Sequence, residues 1–243
     1  MNKNIVILGG TSGVGKAIAL SLIPYDTDIT IVGRNEDKAK EIKIISNNKI
    51  NYILGDLTKK NEQKRIVDIL NNKLSKIDVL LDTFGVYPTS PTINIRSNLQ
   101  SHYEIITLLT PLLSKSQQSR VFIVTGNPVA INNIPIPSTQ NNVVEMASWE
   151  ISYKTLLMIY LSDQLIDSNI MVNSFYPGEV RSNLMSWTRN IKNTNVPVGK
   201  YLSLSNKLVN KTGEMFDQNG SEIYLPKEYY YKENQNKLKK YLN

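Results

Sequence analysis

Glu150 and Lys154 are the residues whose types and spacing point most directly to chemistry. They lie four positions apart in the segment Trp149-Glu150-Ile151-Ser152-Tyr153-Lys154, and side chains at i and i+4 share one face of a helix. Both can therefore point into one cleft, where the lysine would hold the glutamate as an ionised carboxylate. Such a carboxylate cannot donate a proton, although it can act as a weak base. A purely structural salt bridge is the alternative.

A glycine-rich turn follows the first apolar run of the chain. The run is Asn4-Ile5-Val6-Ile7-Leu8, and the turn is Gly9-Gly10-Thr11-Ser12-Gly13-Val14-Gly15-Lys16-Ala17. The pattern predicts a buried strand, a turn and the start of a helix, whose free N–H groups favour a pyrophosphate. A tight turn without a ligand is the alternative. The residues expected to bind a nucleotide are Gly9, Thr11, Ser12, Gly13, Val14, Gly15 and Lys16.

Arg34 indicates which dinucleotide would bind. It lies in Val32-Gly33-Arg34-Asn35 at the end of the second predicted strand, where an acidic residue would instead hydrogen-bond a ribose 2′-hydroxyl. A guanidinium suits a 2′-phosphate, and Lys16 adds a second positive charge near the same site, so NADP(H) is favoured over NAD(H). A solvated loop charge is the alternative for Arg34.

Asp56 and Leu57 close the third predicted strand, in Leu54-Gly55-Asp56-Leu57. The carboxylate can accept a hydrogen bond from the amino group of an adenine. It can equally serve as the N-cap of a helix that starts near Thr58. The sequence leaves the two roles open.

Composition bounds the class of protein. The chain has 243 residues, of which 41% are hydrophobic, enough for one core in a single domain. Its net charge of +7 could indicate a nucleic-acid-binding protein. Its lysines, however, are scattered along the chain and no nucleic-acid-binding motif accompanies them, so nucleic-acid binding is not expected. The absence of cysteine fits a cytoplasmic protein, and the single histidine argues against a histidine-rich metal site. No apolar stretch is long enough for a membrane span. Since a strand is predicted from residue 4, we expect no signal peptide.

Apolar runs alternate with segments of helical period, which predicts a doubly wound parallel α/β sheet of the Rossmann type in one domain, 1–243. Strands are predicted at 4–8, 28–33, 50–54, 78–83, 120–125 and 170–176. Helices are predicted at 13–23, 36–47, 58–74, 92–115 and 143–168. The segments 126–142 and 177–199 are predicted as loops at the carboxyl ends of strands, where such sheets bind ligands. We expect them to cover a substrate.

These motifs resemble the short-chain dehydrogenase/reductase family over nearly the whole chain, and most closely its retinol-dehydrogenase-like branch. The glycine motif matches that branch, and Arg34 and Asp56-Leu57 fall at the family's adenosine-binding positions. The segment Asn98-Leu99-Gln100-Ser101-His102-Tyr103 resembles the branch's Asn-x-x-Gly-His-Phe helix. The resemblance implies an oxidoreductase with a nicotinamide cofactor.

The resemblance also implies roles for residues outside the glycine motif. Lys154 would bind the nicotinamide ribose, and Pro177 and Gly178 would lie along the nicotinamide. Asn98 would hold a water that connects to Lys154, with helix packing as its alternative role. Gly85 is the residue retained from the family's Asn-Asn-Ala-Gly. A homodimer through the long helices 92–115 and 143–168 is implied as well.

Two catalytic positions of the family are altered. The serine that closes the fifth strand falls at Gly126, and the tyrosine falls at Glu150. Thr125 adjoins the lost serine and can offer a hydroxyl to a carbonyl oxygen. Other side chains considered as substitutes, each against an ordinary structural role, are Ser138, Thr139, Tyr153 and His102.

The sequence therefore predicts an NADP(H)-dependent oxidoreductase with a non-standard catalytic site made of Asn98, Glu150, Lys154 and Thr125. Its substrate is expected to be a small or extended metabolite, and neither nucleic acid nor a membrane is an expected partner. One alternative is a catalytically silent nucleotide-binding sensor or partner protein. The other is a lyase or isomerase that uses Glu150 as its base.

Overall fold

The computed structural model describes residues 2–184 and 186–242 and builds them around one eight-stranded sheet. The strands are β1 (Lys3–Leu8), β2 (Thr27–Gly33), β3 (Ile50–Leu54), β4 (Val79–Asp82), β5 (Ser119–Val124), β6 (Ile170–Phe175), β7 (Met215–Phe216) and β8 (Glu222–Ile223). Their order is β3-β2-β1-β4-β5-β6-β7-β8, and β8 alone among them runs antiparallel to its neighbour. The predicted doubly wound α/β fold is confirmed, and all six predicted strands are present.

Helices cover both faces of this sheet. They are α1 (Gly13–Leu22), α2 (Glu36–Ile45), α3 (Lys60–Lys73), α4 (Pro91–Ile95), α5 (Ser101–Leu113), α6 (Pro128–Asn133), α7 (Val143–Leu165), α8 (Pro197–Leu204) and α9 (Lys232–Leu242). A π-helical turn, Arg96–Gln100, joins α4 to α5. The single helix predicted over 92–115 is therefore two α-helices joined without a break by a π-helical turn.

The alternation of side chains along β1 divides the core in two. Ile5 and Ile7 point to the face covered by α1, α2 and α8, whereas Val6 and Leu8 point to the face covered by α3, α5, α7 and α9. All four are fully buried, as a strand covered on both faces requires. This packing fixes the carboxyl end of β1, from which the glycine-rich turn begins.

The two predicted loops are only partly irregular. Helix α6 lies inside 126–142, where Asn127 caps it and Pro128 takes its first position, a start signal that the sequence already carried. The segment 177–199 contains a 3₁₀ turn, Trp187–Asn190, and the first residues of α8. The loop predictions are wrong at α6 and α8, because Pro128 and Pro197 each occupy the first position of a helix.

Helix α9 packs against α7 and against the π-helical turn. The ring of Tyr241 lies 5.2 Å from that of Trp149 and 5.3 Å from that of Tyr153, and Gln100 Nε2 donates a hydrogen bond to the Tyr241 carbonyl. Leu238 is fully buried. A homodimer built on the long helices, which stays a prediction, would therefore have to include or displace α9. Among the helices of the described residues, none has the length and apolar character that a membrane crossing needs.

Candidate active site

One cleft of about 630 Å³ opens at the carboxyl ends of the parallel strands. It extends from the ends of β2 and β3, past β1 and β4, to the ends of β5 and β6 and the adjoining turns of α7. The predicted site residues that line it are Gly9, Thr11, Ser12, Gly13, Val14, Arg34, Asp56, Leu57, Gly85, Thr125, Glu150, Lys154, Pro177 and Gly178. Gly15, Lys16 and Asn98 do not line this cleft.

The glycine-rich turn presents its backbone to the cleft. Gly9 has φ +82°, and a Cβ there would lie 2.7 Å from the backbone of Phe84, so the position requires glycine. Ser12 makes no side-chain cap on α1. The N–H groups of Gly13, Val14 and Gly15 donate no hydrogen bond within the described chain. An uncapped helix start of this kind fits the pyrophosphate of a dinucleotide.

Arg34 and Asp56 lie together at the adenosine end of the cleft. Arg34 is exposed and forms no ion pair with any described residue, so its guanidinium is available to a phosphate. Asp56 accepts hydrogen bonds from the Thr58 N–H and hydroxyl. Burial alone would raise the pKa of Asp56, but these bonds and the charge of Arg34 hold it below its usual value. Asp56 does not cap a helix at Thr58, because α3 begins at Lys60.

Lys16 forms a contact that the sequence did not predict, and its place near a 2′-phosphate stays a prediction. Its Nζ lies 2.9 Å from Glu41 Oε1 on α2. It lines a smaller cavity of about 200 Å³, together with Lys38 and Arg189, and this cavity shares the lining residues Thr11, Ser12 and Gly13 with the cleft. The sequence could not show this, because the pairing depends on how α2 packs beside α1.

Glu150 and Lys154 form the predicted pair on α7. Lys154 Nζ donates to Glu150 Oε1 at 2.9 Å. The Glu150 side chain keeps 12% of its surface exposed, and the Lys154 side chain keeps 4%. Glu150 Oε2 accepts no hydrogen bond from the described part of the chain. One carboxylate oxygen is thus tied to the lysine, while the other is left to the cleft.

Gly126, where the family's serine would lie, has no space for a side chain. A Cβ at this position would lie 2.5 Å from Cδ1 and from Cγ1 of Ile151. Ile151 follows Glu150 on α7 and lines the cleft. Ile151 therefore fills the space that a serine side chain at position 126 would need.

Asn98 lies in the π-helical turn and holds the chain after β4. Its Oδ1 accepts from the Val86 N–H, and its Nδ2 donates to the Val86 carbonyl, both at 2.8 Å. Nδ2 also donates to Asn94 Oδ1. Both hydrogens of Nδ2 are used, so the side chain positions the cleft wall at Val86 instead of facing the cleft.

The hydroxyl groups considered as substitutes are differently placed. Thr125 lines the cleft, and its Oγ1 is buried with no hydrogen-bond partner among the described residues. Thr139 donates to Glu145 Oε2, and Ser138 is exposed; neither lines the cleft. For Ser138 and Thr139, the ordinary loop role is the one that the structure supports.

Tyr153 faces away from the cleft, toward α9. It is buried and stacks on Trp149 with ring centroids 4.1 Å apart. Burial, reinforced by Tyr241, raises its pKa to about 12. Tyr153 therefore does not line the cleft beside Glu150, because three positions along a helix leave an angular offset between the two side chains.

His102 is a packed residue, as the sequence favoured. Its Nδ1 lies 2.7 Å from Asp82 Oδ2, both side chains are fully buried, and its ring stacks on Phe84 at 3.9 Å. Burial lowers the pKa of His102 below its usual value, and the attraction of Asp82 only partly opposes this. The neutral imidazole is therefore favoured beneath the cleft.

Tyr176 and Glu179 are cleft residues that sequence reasoning missed. Tyr176 Oη donates to Glu179 Oε1 at 2.6 Å. Burial, reinforced by this carboxylate, raises the pKa of Tyr176. The sequence feature that could have indicated them is their position on either side of Pro177-Gly178. The backbone turns there, at Gly178, with φ +83°.

The model for the short chain dehydrogenase family matches residues 3–132 of this chain. An uncharacterised oxidoreductase of Listeria monocytogenes is 32% identical over 95 residues, a match that spans only 37% of this chain and 38% of the Listeria protein. Member 4 of the dehydrogenase/reductase SDR family from Caenorhabditis elegans is 24% identical over 198 residues, or 75% of this chain and 72% of its own length.

Solved structures share the fold. A short chain dehydrogenase from Shigella flexneri in complex with NADP superimposes with a TM-score of 0.74 at 18% identity, covering 90% of this chain and 98% of the other. One from Salmonella enterica serovar Typhi gives a TM-score of 0.74 at 19% identity, covering 90% and 96%. With more than half of its length matched by the family model, the chain belongs to the short-chain dehydrogenase family.

Proposed function

We propose that the protein is an NADP(H)-dependent oxidoreductase in which Glu150 takes the place of the family's tyrosine. The single observation that carries this proposal is that one cleft contains both the glycine-rich turn and the Glu150–Lys154 pair. A nucleotide on the turn would extend toward these two side chains. We also propose that, within the family, the protein is most similar to the retinol-dehydrogenase-like branch.

The residues that would hold the nucleotide fit its chemistry. The free N–H groups of α1 suit the pyrophosphate, Asp56 and Leu57 border the adenosine end, and the unpaired Arg34 suits a 2′-phosphate. Lys154, Pro177 and Gly178 border the other end. A bound nicotinamide would supply or accept the hydride.

The chain's own residues then define the direction of proton transfer. Glu150 is ion-paired, so it can accept a proton from a substrate more readily than it can donate one. Lys154 holds the carboxylate in place through Oε1. In oxidation of a substrate, Glu150 Oε2 is therefore the base that we propose.

The substrate would lie between β5, α7 and the segment 177–199, at the end of the cleft away from Arg34. Leu184 and Trp187 come from this segment and line the cleft together with Val180 and Ile151. These walls are apolar. They support a small or extended metabolite with an apolar body.

The cofactor assignment is tested by titrating NADPH and NADH, followed by protein fluorescence. We expect NADPH to bind more tightly, and salt to weaken it. Arg34→Ala should cost roughly tenfold or more in NADPH affinity, since a hydrogen bond to a charged group contributes about 1.5–3 kcal/mol, and it should leave NADH nearly unchanged. Equal affinity of the wild-type protein for both nucleotides would overturn the assignment.

A catalytically silent nucleotide-binding protein is the second candidate, and the contact of Ile151 with Gly126 favours it. The two candidates differ in what Glu150→Gln does. If Glu150 transfers a proton, turnover of the true substrate should fall at least about a hundredfold, with NADPH affinity unchanged. If the protein is silent, no oxidoreductase turnover exists to lose.

Location and assembly are also proposals. The cysteine-free sequence supports the cytoplasm, which keeps thiols reduced and needs no disulfides. Homodimerisation through the long helices is supported by their length and by the family resemblance. Sedimentation at micromolar concentration tests it, and a monomer at that concentration would refute it.

A further inference from the structure

Three features of the cleft bear on the class of substrate, and the first is the set of groups that can donate a proton. Gly126 and Glu150 replace the family's two hydroxyl-bearing residues. Thr125 Oγ1 is buried, and the hydroxyl of Tyr176 is already bonded to Glu179. Reduction of a ketone needs both a hydride and a proton. Among the described charged side chains at this end of the cleft, the Lys154 ammonium is the group that carries protons, and it already donates to Glu150 Oε1.

The second feature is charge. The charged residues that line the cleft fall into two groups, with Arg34 and Asp56 at the ends of β2 and β3, and Glu150, Lys154 and Glu179 beside β5 and β6. In the second group, two carboxylates face one ammonium, and that ammonium is already bonded to Glu150 Oε1. This end of the cleft therefore favours a cation.

The third feature is the free oxygen of Glu150. Oε2 has no partner in the described chain, and Glu150 keeps part of its surface open to the cleft. A charge-assisted hydrogen bond from an N–H group would satisfy it. The walls contributed by Val124, Ala147, Ile151, Leu184 and Trp187 are apolar, and an exposed tryptophan face attracts cations.

We propose that the substrate is an apolar molecule that carries an iminium group in the oxidised state and an amine in the reduced state, held by Glu150 Oε2. The inference rests on the proposed oxidoreductase function and narrows its substrate. A protonated C=N bond needs no proton from the protein, because the proton is already on nitrogen.

The reaction balances without an acid. In the reductive direction, the iminium carbon gains a hydride from the reduced nicotinamide, the C=N π pair becomes the nitrogen lone pair, and a neutral amine leaves. In the oxidative direction, Glu150 first accepts the N–H proton of the ammonium form. The carbon next to nitrogen would then lose a hydride to the oxidised nicotinamide, and the nitrogen lone pair would form the C=N bond.

Binding tests this proposal independently of turnover. The probes are benzylamine, an ammonium ion at neutral pH, and benzyl alcohol, which is uncharged and of similar size. Kd values are measured by ligand-observed NMR on the full chain, with and without NADPH. We expect the ammonium to bind at least about tenfold more tightly than the alcohol, which is the scale of one charge-assisted hydrogen bond.

Two variants locate the effect. Glu150→Gln should abolish the preference for the ammonium, whereas Glu150→Asp, which keeps the charge, should retain it. The matched control is Glu233→Gln, because Glu233 forms the same i,i+4 pair with Lys237 at 2.8 Å but lies on α9. The preference should survive in this control. Equal binding of the two probes, binding of neither at millimolar concentration, or a preference that survives in Glu150→Gln would each overturn the proposal.

Turnover tests the redox step. Dihydroisoquinoline, a cyclic imine, is compared with tetralone, a ketone of similar size, by the consumption of NADPH. We expect faster consumption with the imine. Equal or faster consumption with tetralone, or none with either probe, would overturn the redox step. Loss of NADPH binding would instead overturn the cofactor assignment, and the measurements without nucleotide keep the two failures apart.

Discussion

Ile151 occupies the space that a side chain at position 126 would need, with Cδ1 and Cγ1 each 2.5 Å from the Cβ position of Gly126. Contacts this short cannot coexist, because real carbon atoms in contact lie about 3.5–4.0 Å apart. The two positions are therefore coupled: the absence of a side chain on the β5 side permits the isoleucine on the α7 side. Glu150 precedes that isoleucine, so Gly126 and Glu150, the two positions at which the resemblance places the catalytic serine and tyrosine, lie on either side of this contact.

The coupling predicts that Gly126→Ser is destabilising. Overpacking of a well-packed site costs about 1–3 kcal/mol, and the free energy of unfolding in urea measures it. Gly85→Ala is the matched control, since a Cβ at Gly85 would meet Leu184 only at 3.5 Å, an ordinary contact. Adding Ile151→Ala to Gly126→Ser should recover much of the loss. An unfolding free energy for Gly126→Ser equal to that of the control would show that Ile151 moves aside freely.

The close approach of Ile151 to Gly126 also determines whether carbonyl reduction can be restored by introducing the family's serine and tyrosine. Glu150→Tyr with Gly126→Ser places both hydroxyl groups in the sequence, but Ile151 still blocks the serine. We expect tetralone reduction by NADPH to appear only when Ile151→Ala is added as a third change. Both combinations should bind NADPH alike, which serves as the control for folding. Equal activity of the double and triple variants would contradict the role given to Ile151.

The sequence was informative where a pattern is local and repeated. All six predicted strands and the glycine-rich turn are found where the apolar runs place them, because burial on both faces of a parallel sheet demands continuous apolar residues. Strands β7 and β8 contain two residues each, too short for any period to register. The pairing of Lys16 with Glu41 and the contact of Ile151 with Gly126 depend on tertiary packing, which no spacing along the chain encodes.

Lys16 is expected to contribute little to nucleotide affinity. It is held by Glu41 and lines the smaller cavity, so Lys16→Ala should change the Kd for NADPH less than about fivefold, which corresponds to the limit of about 1 kcal/mol for a partly exposed charge contact. Arg34→Ala in the same titration provides the contrast. Glu41→Gln releases Lys16 and should leave the affinity equally unchanged. If Lys16→Ala weakened NADPH binding as much as Arg34→Ala does, Lys16 would also contact the 2′-phosphate, and this prediction would be wrong.

His102 predicts a specific pH dependence of stability. Its pKa in the folded protein is lowered from the usual value of 6.5, chiefly by burial. Below about pH 6.5, the imidazole is therefore protonated in the unfolded chain more readily than in the folded one. The contribution of His102 is fully present above about pH 6.5, and it is lost as the pH falls from there toward the folded pKa. The free energy of unfolding should decrease by at most about 1.4 kcal/mol per pH unit in that window.

The chain contains a single histidine, which makes this test sharp. His102→Gln removes the titrating group, and its amide N–H can still donate to Asp82. Urea unfolding at about pH 7.5, 6.5 and 5.5 should show a decline in the wild-type protein that the variant lacks, although the variant is less stable throughout. Carboxylates away from His102 titrate in both proteins alike, and Asp82 keeps an N–H donor in the variant, so the difference between the two curves reports chiefly on the imidazole. Parallel curves would mean that His102 takes up its proton in the folded state as readily as in the unfolded one.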